Sequence, residues 1–154
     1  MQARTPRIAA LALVTCVGLP LLLTGCDPLV SGEDPIAAQL NGSVFSITVC
    51  QPWTLTSVLV QTRSSKWGGQ WDNVWVADGR TELLSGDVLS SVAPPDGLSI
   101  SNWAKPTLEP GDSLTITLIG LNAETLDAIV QVPDSGMPSD GWLQADGTIT
   151  DSAC

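Results

Sequence analysis

Three residue types in this chain offer chemistry: aspartate, cysteine and tryptophan. Two others are missing, since the sequence contains no His and no Tyr. Without an imidazole, no Ser-His-Asp triad, Cys-His dyad or His-ligated zinc can be assembled. Carboxylate chemistry remains. Asp134-Ser135-Gly136 supplies one half of an acid pair in which two carboxylates share a proton. A single copy would need a second chain, and Pro133 with the Gly- and Pro-rich stretch behind it reads more simply as a turn. Asp140, Asp146 and Asp151 are oxygen donors of the kind calcium takes. Their spacing fits no EF-hand loop, and Asp146-Gly147 is already explained as a turn. Ser64 or Ser65 beside Lys66 suggests a Ser-Lys dyad, but neighbours on a strand point to opposite faces. The sequence therefore predicts no catalytic residue, no metal site and no cofactor.

The cysteines carry a clearer message. Arg4 and Arg7 are the only charges before residue 26, and an apolar run extends over residues 8–23. That run is short for a membrane span, which needs about 20 residues, and it has the layout of a secretory signal. It ends in Leu23-Thr24-Gly25-Cys26, which resembles position for position the lipobox of bacterial lipoproteins. The resemblance implies that residues 1–25 are removed and that the Cys26 thiol receives a diacylglycerol, with acylation of the new amine. More than one acyl chain makes physical sense, because a single chain holds a protein only marginally. Cys16 would leave with the signal. Cys50 and Cys154 then remain as an even pair in an oxidising compartment, where one disulfide is the expected state and two buried thiols the alternative.

After residue 25 the chain keeps Arg63, Lys66, Arg80 and Lys105 against all sixteen of its acidic residues. So acidic a surface argues against binding nucleic acid, where Lys and Arg must neutralise phosphates. It also argues against lying on anionic lipid, so membrane affinity would have to come from the acyl chains. Six tryptophans stand out: Trp53, Trp67, Trp71, Trp75, Trp103 and Trp142. Three of them, Trp67, Trp71 and Trp75, fall within ten residues together with Gln70, Asp72 and Asn73. Indoles beside amides and carboxylates stack on sugar rings, and Trp is favoured at protein hot spots. It is equally a core residue. Trp71 and Trp75 share a strand parity opposite to Val74 and Val76, so all four cannot face one core. These three tryptophans form the candidate binding surface for an envelope protein or a glycan.

The elements that must position these residues are strands. Asn41-Gly42 between residues 36–40 and 43–50 is a hairpin signal. Phe45, Ile47 and Val49 then alternate with polar residues, and Cys50 falls on the polar face, at a sheet end. Residues 53–62 form a second β-rich run with a bulge expected at Ser57-Val58. A short strand is expected over 73–77 before an Asp78-Gly79 turn, and another over 98–103 after Pro94-Pro95-Asp96-Gly97. Leu114, Ile116 and Leu118 alternate with Ser and Thr after the Glu109-Pro110-Gly111-Asp112 turn, and residues 126–132, 142–144 and 148–150 supply the last strands. No segment shows a sustained helical period. Seven or eight strands at hairpin spacing predict an all-β antiparallel sandwich over residues 36–154, behind a tether at 26–35. The stretch from Leu108 to Ile116 resembles the Leu-x-Pro-Gly corner of immunoglobulin-like and fibronectin-type modules, with Leu114 or Ile116 where those modules often carry Tyr.

The layout as a whole (lipobox, short tether, one cysteine pair, acidic Trp-rich domain) is similar to that of small lipoproteins of high-GC Gram-positive bacteria. That resemblance implies a lipid-anchored protein on the outer face of the cell membrane and no particular activity. The expectation is a non-enzymatic binding or accessory module, with a carbohydrate-binding module on Trp67, Trp71 and Trp75 as the alternative.

Overall fold

The computed structural model describes residues 35–154 with the exception of Trp67. The expected signal, Cys26 and the expected tether up to residue 34 lie outside the described residues. Ten strands run in chain order: β1 Ile36–Asn41, β2 Val44–Val49, β3 Trp53–Arg63, β4 Asp72–Leu83, β5 Val88–Ser90, β6 Leu98–Trp103, β7 Ser113–Gly120, β8 Thr125–Gln131, β9 Trp142–Gln144 and β10 Ile149–Thr150. They form two antiparallel five-stranded sheets, ordered β10-β9-β1-β2-β5 and β6-β4-β3-β7-β8. Within these, β1-β2-β5 faces β8-β7-β3-β4, the strand distribution of an immunoglobulin-like sandwich. The additions are β6 beside β4 and the β9–β10 hairpin beside β1.

Alternation explains the assembly. Phe45, Ile47 and Val49 of one sheet meet Leu55, Val58, Val60, Leu114, Ile116 and Leu118 of the other, all of them fully buried. Trp75 fills the middle, edge-on to Phe45 across the sandwich at 6.3 Å and to Trp103 beside it at 6.5 Å. The intervening Thr115 and Thr117 stay on the outer face at half burial.

Several sequence expectations shift. The first hairpin loop is Gly42-Ser43 rather than Asn41-Gly42, because Asn41 pairs with Val44 and Gly42 takes the left-handed position at φ 61°. The bulge in β3 falls between Leu55 and Ser57, one step early. Asp78-Gly79 is no turn: β4 runs straight through it. Gly79 is there because the backbone of Gly97 comes so close that a Cβ on Gly79 would lie 1.9 Å from the Gly97 carbonyl oxygen. Arg80 N–H donates to that same oxygen at 2.9 Å. The short edge strand β5 had no alternation long enough to be seen, whereas the β9–β10 hairpin stands where strands were expected at 142–144 and 148–150, and the described residues carry ten strands against the seven or eight expected. Between β7 and β8 the chain turns through Asn122 (φ 62°) and Ala123 (φ 60°). Two left-handed residues in succession are the mark of a type I′ hairpin turn, and Leu121 stands at its first position, where its carbonyl accepts from Glu124 N–H.

Candidate binding surface

The sandwich has two poles. At one, β1 begins and β2 ends, and Cys50 N–H donates to the Pro35 carbonyl at 3.0 Å. The start of β3, the end of β4 and the end of β7 lie at the same pole, since Trp53 pairs with Leu83 and Leu55 with Gly120. This is where the chain enters the domain. The opposite pole holds Arg63, the 64–71 loop, the start of β4, the end of β6 and the 104–112 segment. The eleven residues of β3 separate the poles by roughly 33 Å at about 3.3 Å per residue.

The predicted disulfide is at the entry pole. Cys50 and Cys154 are joined with Cα atoms 5.3 Å apart, 104 residues from each other in sequence. It lies at a sheet end, as the polar-face position of Cys50 suggested, and draws the segment after β10 against the entry of β1.

The tryptophan trio is split. Trp75 has no exposed surface at all and is the largest side chain of the core, which corrects its assignment to a binding surface. Strand parity required only that Trp71, Trp75, Val74 and Val76 not all face one core, and they do not: Val74 and Trp75 are buried, while Trp71 and Val76 are half-buried. Trp75 and Ala77 alternate with half-buried Val76, and Val74 joins them inside as the extra residue where the pairing of β4 with β3 shifts between Val60 and Gln61. The indole Nε1 of Trp75 is buried without an acceptor. Trp71 is half-buried at the far pole, with the Arg63 guanidinium carbon 4.8 Å from its ring centroid, a cation–π stack. Trp67 lies outside the described residues. Trp103, also half-buried, backs onto Trp75 at that pole.

The residue that shapes the far pole is one that no sequence motif singled out. Asp112 is a buried carboxylate closing the corner before β7. One oxygen accepts from Ser65 N–H at 2.8 Å and the other from Glu109 N–H at 2.9 Å. Its own N–H donates to the Glu109 carbonyl and its carbonyl accepts from Val132 N–H. Burial by itself would push its pKa up. The backbone N–H groups of Glu109 and Ser65, the Ser65 hydroxyl and the Lys66 charge outweigh burial and hold the carboxyl below its ordinary value. Lys66 pairs with Glu109, which raises the ammonium above its ordinary pKa through that hydrogen bond and charge. A Lys held in its charged form is no general base, so the Ser-Lys dyad has no support in the geometry. An Asp directly after Pro-Gly in a turn is the signal that could have found Asp112, because Asx side chains commonly cap turn N–H groups. Three of the four cations after residue 25, Arg63, Lys66 and Lys105, gather at this pole.

The remaining carboxylates offer less. Asp134 and Asp146 line one shallow hollow of about 460 Å³ between the end of β8 and the Asp146-Gly147 turn. An acid–base pair needs one carboxyl with a raised pKa. Asp146 instead accepts from the side chain and N–H of Thr148 at 2.7 and 2.8 Å, and those bonds lower its pKa. Asp134-Ser135-Gly136 is a turn, closed by Gly136 N–H on the Pro133 carbonyl at 2.8 Å. Among the described residues, no three Asp, Glu, His or Cys side chains come together as a metal site, Asp140, Asp146 and Asp151 included. No described helix is long and apolar enough to cross a membrane. Set beside known proteins, the chain matches no family, no curated protein and no solved structure.

Proposed function

We propose that this protein is a lipid-anchored binding module of the cell envelope, held on the outer face of the cell membrane through a diacylglyceryl group on Cys26. Its far pole meets a partner protein, and it does no chemistry of its own. The observation that carries the reading is the polarity of the domain. The chain enters at Pro35 beside Cys50, and the aromatic and cationic residues Arg63, Lys66, Trp71 and Lys105 sit at the opposite end. A tether at one end and recognition chemistry at the other is the arrangement an anchored adaptor requires. The Asp112 carboxylate and the Lys66–Glu109 pair stiffen that end, and a preorganised surface loses less entropy on binding. The partner is expected to carry acidic and aromatic groups that complement Arg63 and Trp71.

The glycan reading loses one of its three rings, because a core Trp75 cannot stack on a sugar. Arg63 moreover covers part of the Trp71 ring that a sugar would need. Two measurements test the proposal together. The intact mass of the native protein should match residues 26–154 plus diacylglyceryl and acyl groups. Crosslinking in detergent-solubilised membranes should yield one defined adduct that the Trp71→Ala and Arg63→Ala variants lose. An unmodified mass overturns the anchor. Adducts unchanged by both substitutions overturn the far pole as the contact. A tryptophan fluorescence shift with cell-wall glycan, abolished by Trp71→Ala, would make the partner a carbohydrate.

A further inference from the structure

The entry pole carries an apolar surface that the fold does not use. Leu84 is 67% exposed and Val88 50% exposed, on either side of the tight β4–β5 turn, and Leu121 is 37% exposed where the β7–β8 turn opens. Half-buried Trp53 lies beside them, in register with Leu83, and together with Leu121 and Pro52 it lines an open hollow of about 390 Å³. The turn bearing Leu84 and Val88 is fastened to the chain's entry. Gly86 N–H donates to the Val49 carbonyl at 2.8 Å, and the Ser85 hydroxyl to the Cys50 carbonyl at 3.0 Å. The exposed Asp87 carboxylate caps the turn by accepting from Leu84 N–H at 2.8 Å. The exposed leucine is thus held out by a braced turn.

From this we infer that the entry pole is a membrane-contact surface: Leu84, Val88, Leu121 and Trp53 rest in the headgroup–acyl boundary of the bilayer that anchors Cys26. This rests on the lipid-anchor reading proposed above. The occupant follows from chain length. Only residues 27–34 separate Cys26 from the residue beside Cys50, and at most about 3.5 Å per residue keeps the pole within roughly 30 Å of the acyl chains. The apolar residues are at the pole that the anchor draws toward lipid. Exposed leucine and valine with a partly buried indole suit that boundary, where one side of a Trp is apolar and the other wet. The pole also carries Glu82, Asp87 and Glu124, with Arg80 beside Glu82, so the contact is apolar rather than electrostatic and anionic headgroups weaken it. The domain then stands on its entry pole, with Trp71 and Arg63 roughly 33 Å outward, by the length of β3.

The test uses the full lipidated protein in phosphatidylcholine vesicles containing brominated phosphatidylcholine, with tryptophan quenching as the readout. Quenching is expected in the wild type, largely lost in Trp53→Phe and unchanged in Trp71→Phe. The double variant Leu84→Gln/Val88→Gln, which changes only exposed side chains, should cut the quenching at least about twofold with the anchor intact. Replacing a third of the lipid with phosphatidylglycerol should weaken it as well. A protein with the acylated mass, bound to vesicles but unquenched, overturns the contact and leaves the anchor standing. Quenching that ignores Leu84→Gln/Val88→Gln also overturns it. An unacylated mass overturns both.

Discussion

Replacing Asp112 by Ala is the sharpest perturbation this structure offers, because one side chain closes the corner before β7 and holds the 64–71 loop. The substitution removes two hydrogen bonds to a charged acceptor, from Ser65 N–H and Glu109 N–H. Each such bond is worth about 1.5–3 kcal/mol. Both donors are only partly buried and can recover water, which trims the sum. The expected loss is about 2–4 kcal/mol at pH 7, measured as the shift of the urea midpoint at constant m. Its pH dependence has a defined sign. The folded pKa of Asp112 is lowered, so the stabilisation is complete above the unfolded value, about 3.9, and is lost as pH falls through the lower folded value. The gap between wild type and Asp112→Ala should therefore be constant from pH 7 to about 5 and shrink steadily below 4. Asp112→Asn keeps one acceptor oxygen and should fall between the two. A loss below about 1 kcal/mol, or a gap that does not narrow in acid, would refute the claim that this carboxylate organises the far pole.

Four further outcomes are expected. Opening the disulfide with Cys50→Ser/Cys154→Ser releases a loop of 104 residues' separation and should cost up to about 4.7 kcal/mol on the chain-entropy account, read by urea unfolding. Trp75→Ala should cost about 3–5 kcal/mol, whereas Trp75→Phe should cost less than that because it removes a buried N–H that has no acceptor. Trp71→Ala should cost under about 1 kcal/mol by the same unfolding assay, since its ring is half-buried and its contact with Arg63 is a surface one. Gly79→Ala drives a Cβ into the Gly97 carbonyl and should destabilise by at least about 2 kcal/mol, with β6 the first strand to lose protection in hydrogen exchange.

Strands with unbroken alternation were legible. Phe45, Ile47 and Val49, and later Leu114, Ile116 and Leu118, turn inward as their period of two requires, and the Pro-Gly corner before β7 stands where its residues put it. Legibility failed wherever a distant backbone set the local rule. Asp78-Gly79 has the composition of a turn, yet Gly79 serves the approach of Gly97, eighteen positions away. Parity left open whether Trp75 or its flanking valines faced the core, and it is the packing of Phe45 across the sandwich and of Trp103 beside it that encloses the indole. Asp112 read as one more polar turn residue, because only its bond from Glu109 N–H is local, and Ser65 meets it only after β3 and β7 pair.

By itself, the sequence determined that the domain is all-β and that no imidazole chemistry is open to it. Each of these follows from composition or from local periodicity, which the chain carries wherever it goes. The tertiary structure alone decided which tryptophans are core and which are surface, and that Arg63 and Trp71 stand at the end opposite Pro35 and the Leu84–Val88 turn. Those facts depend on how two sheets register against each other. Register is fixed by contacts between residues far apart in the chain, where no single stretch of sequence holds the answer.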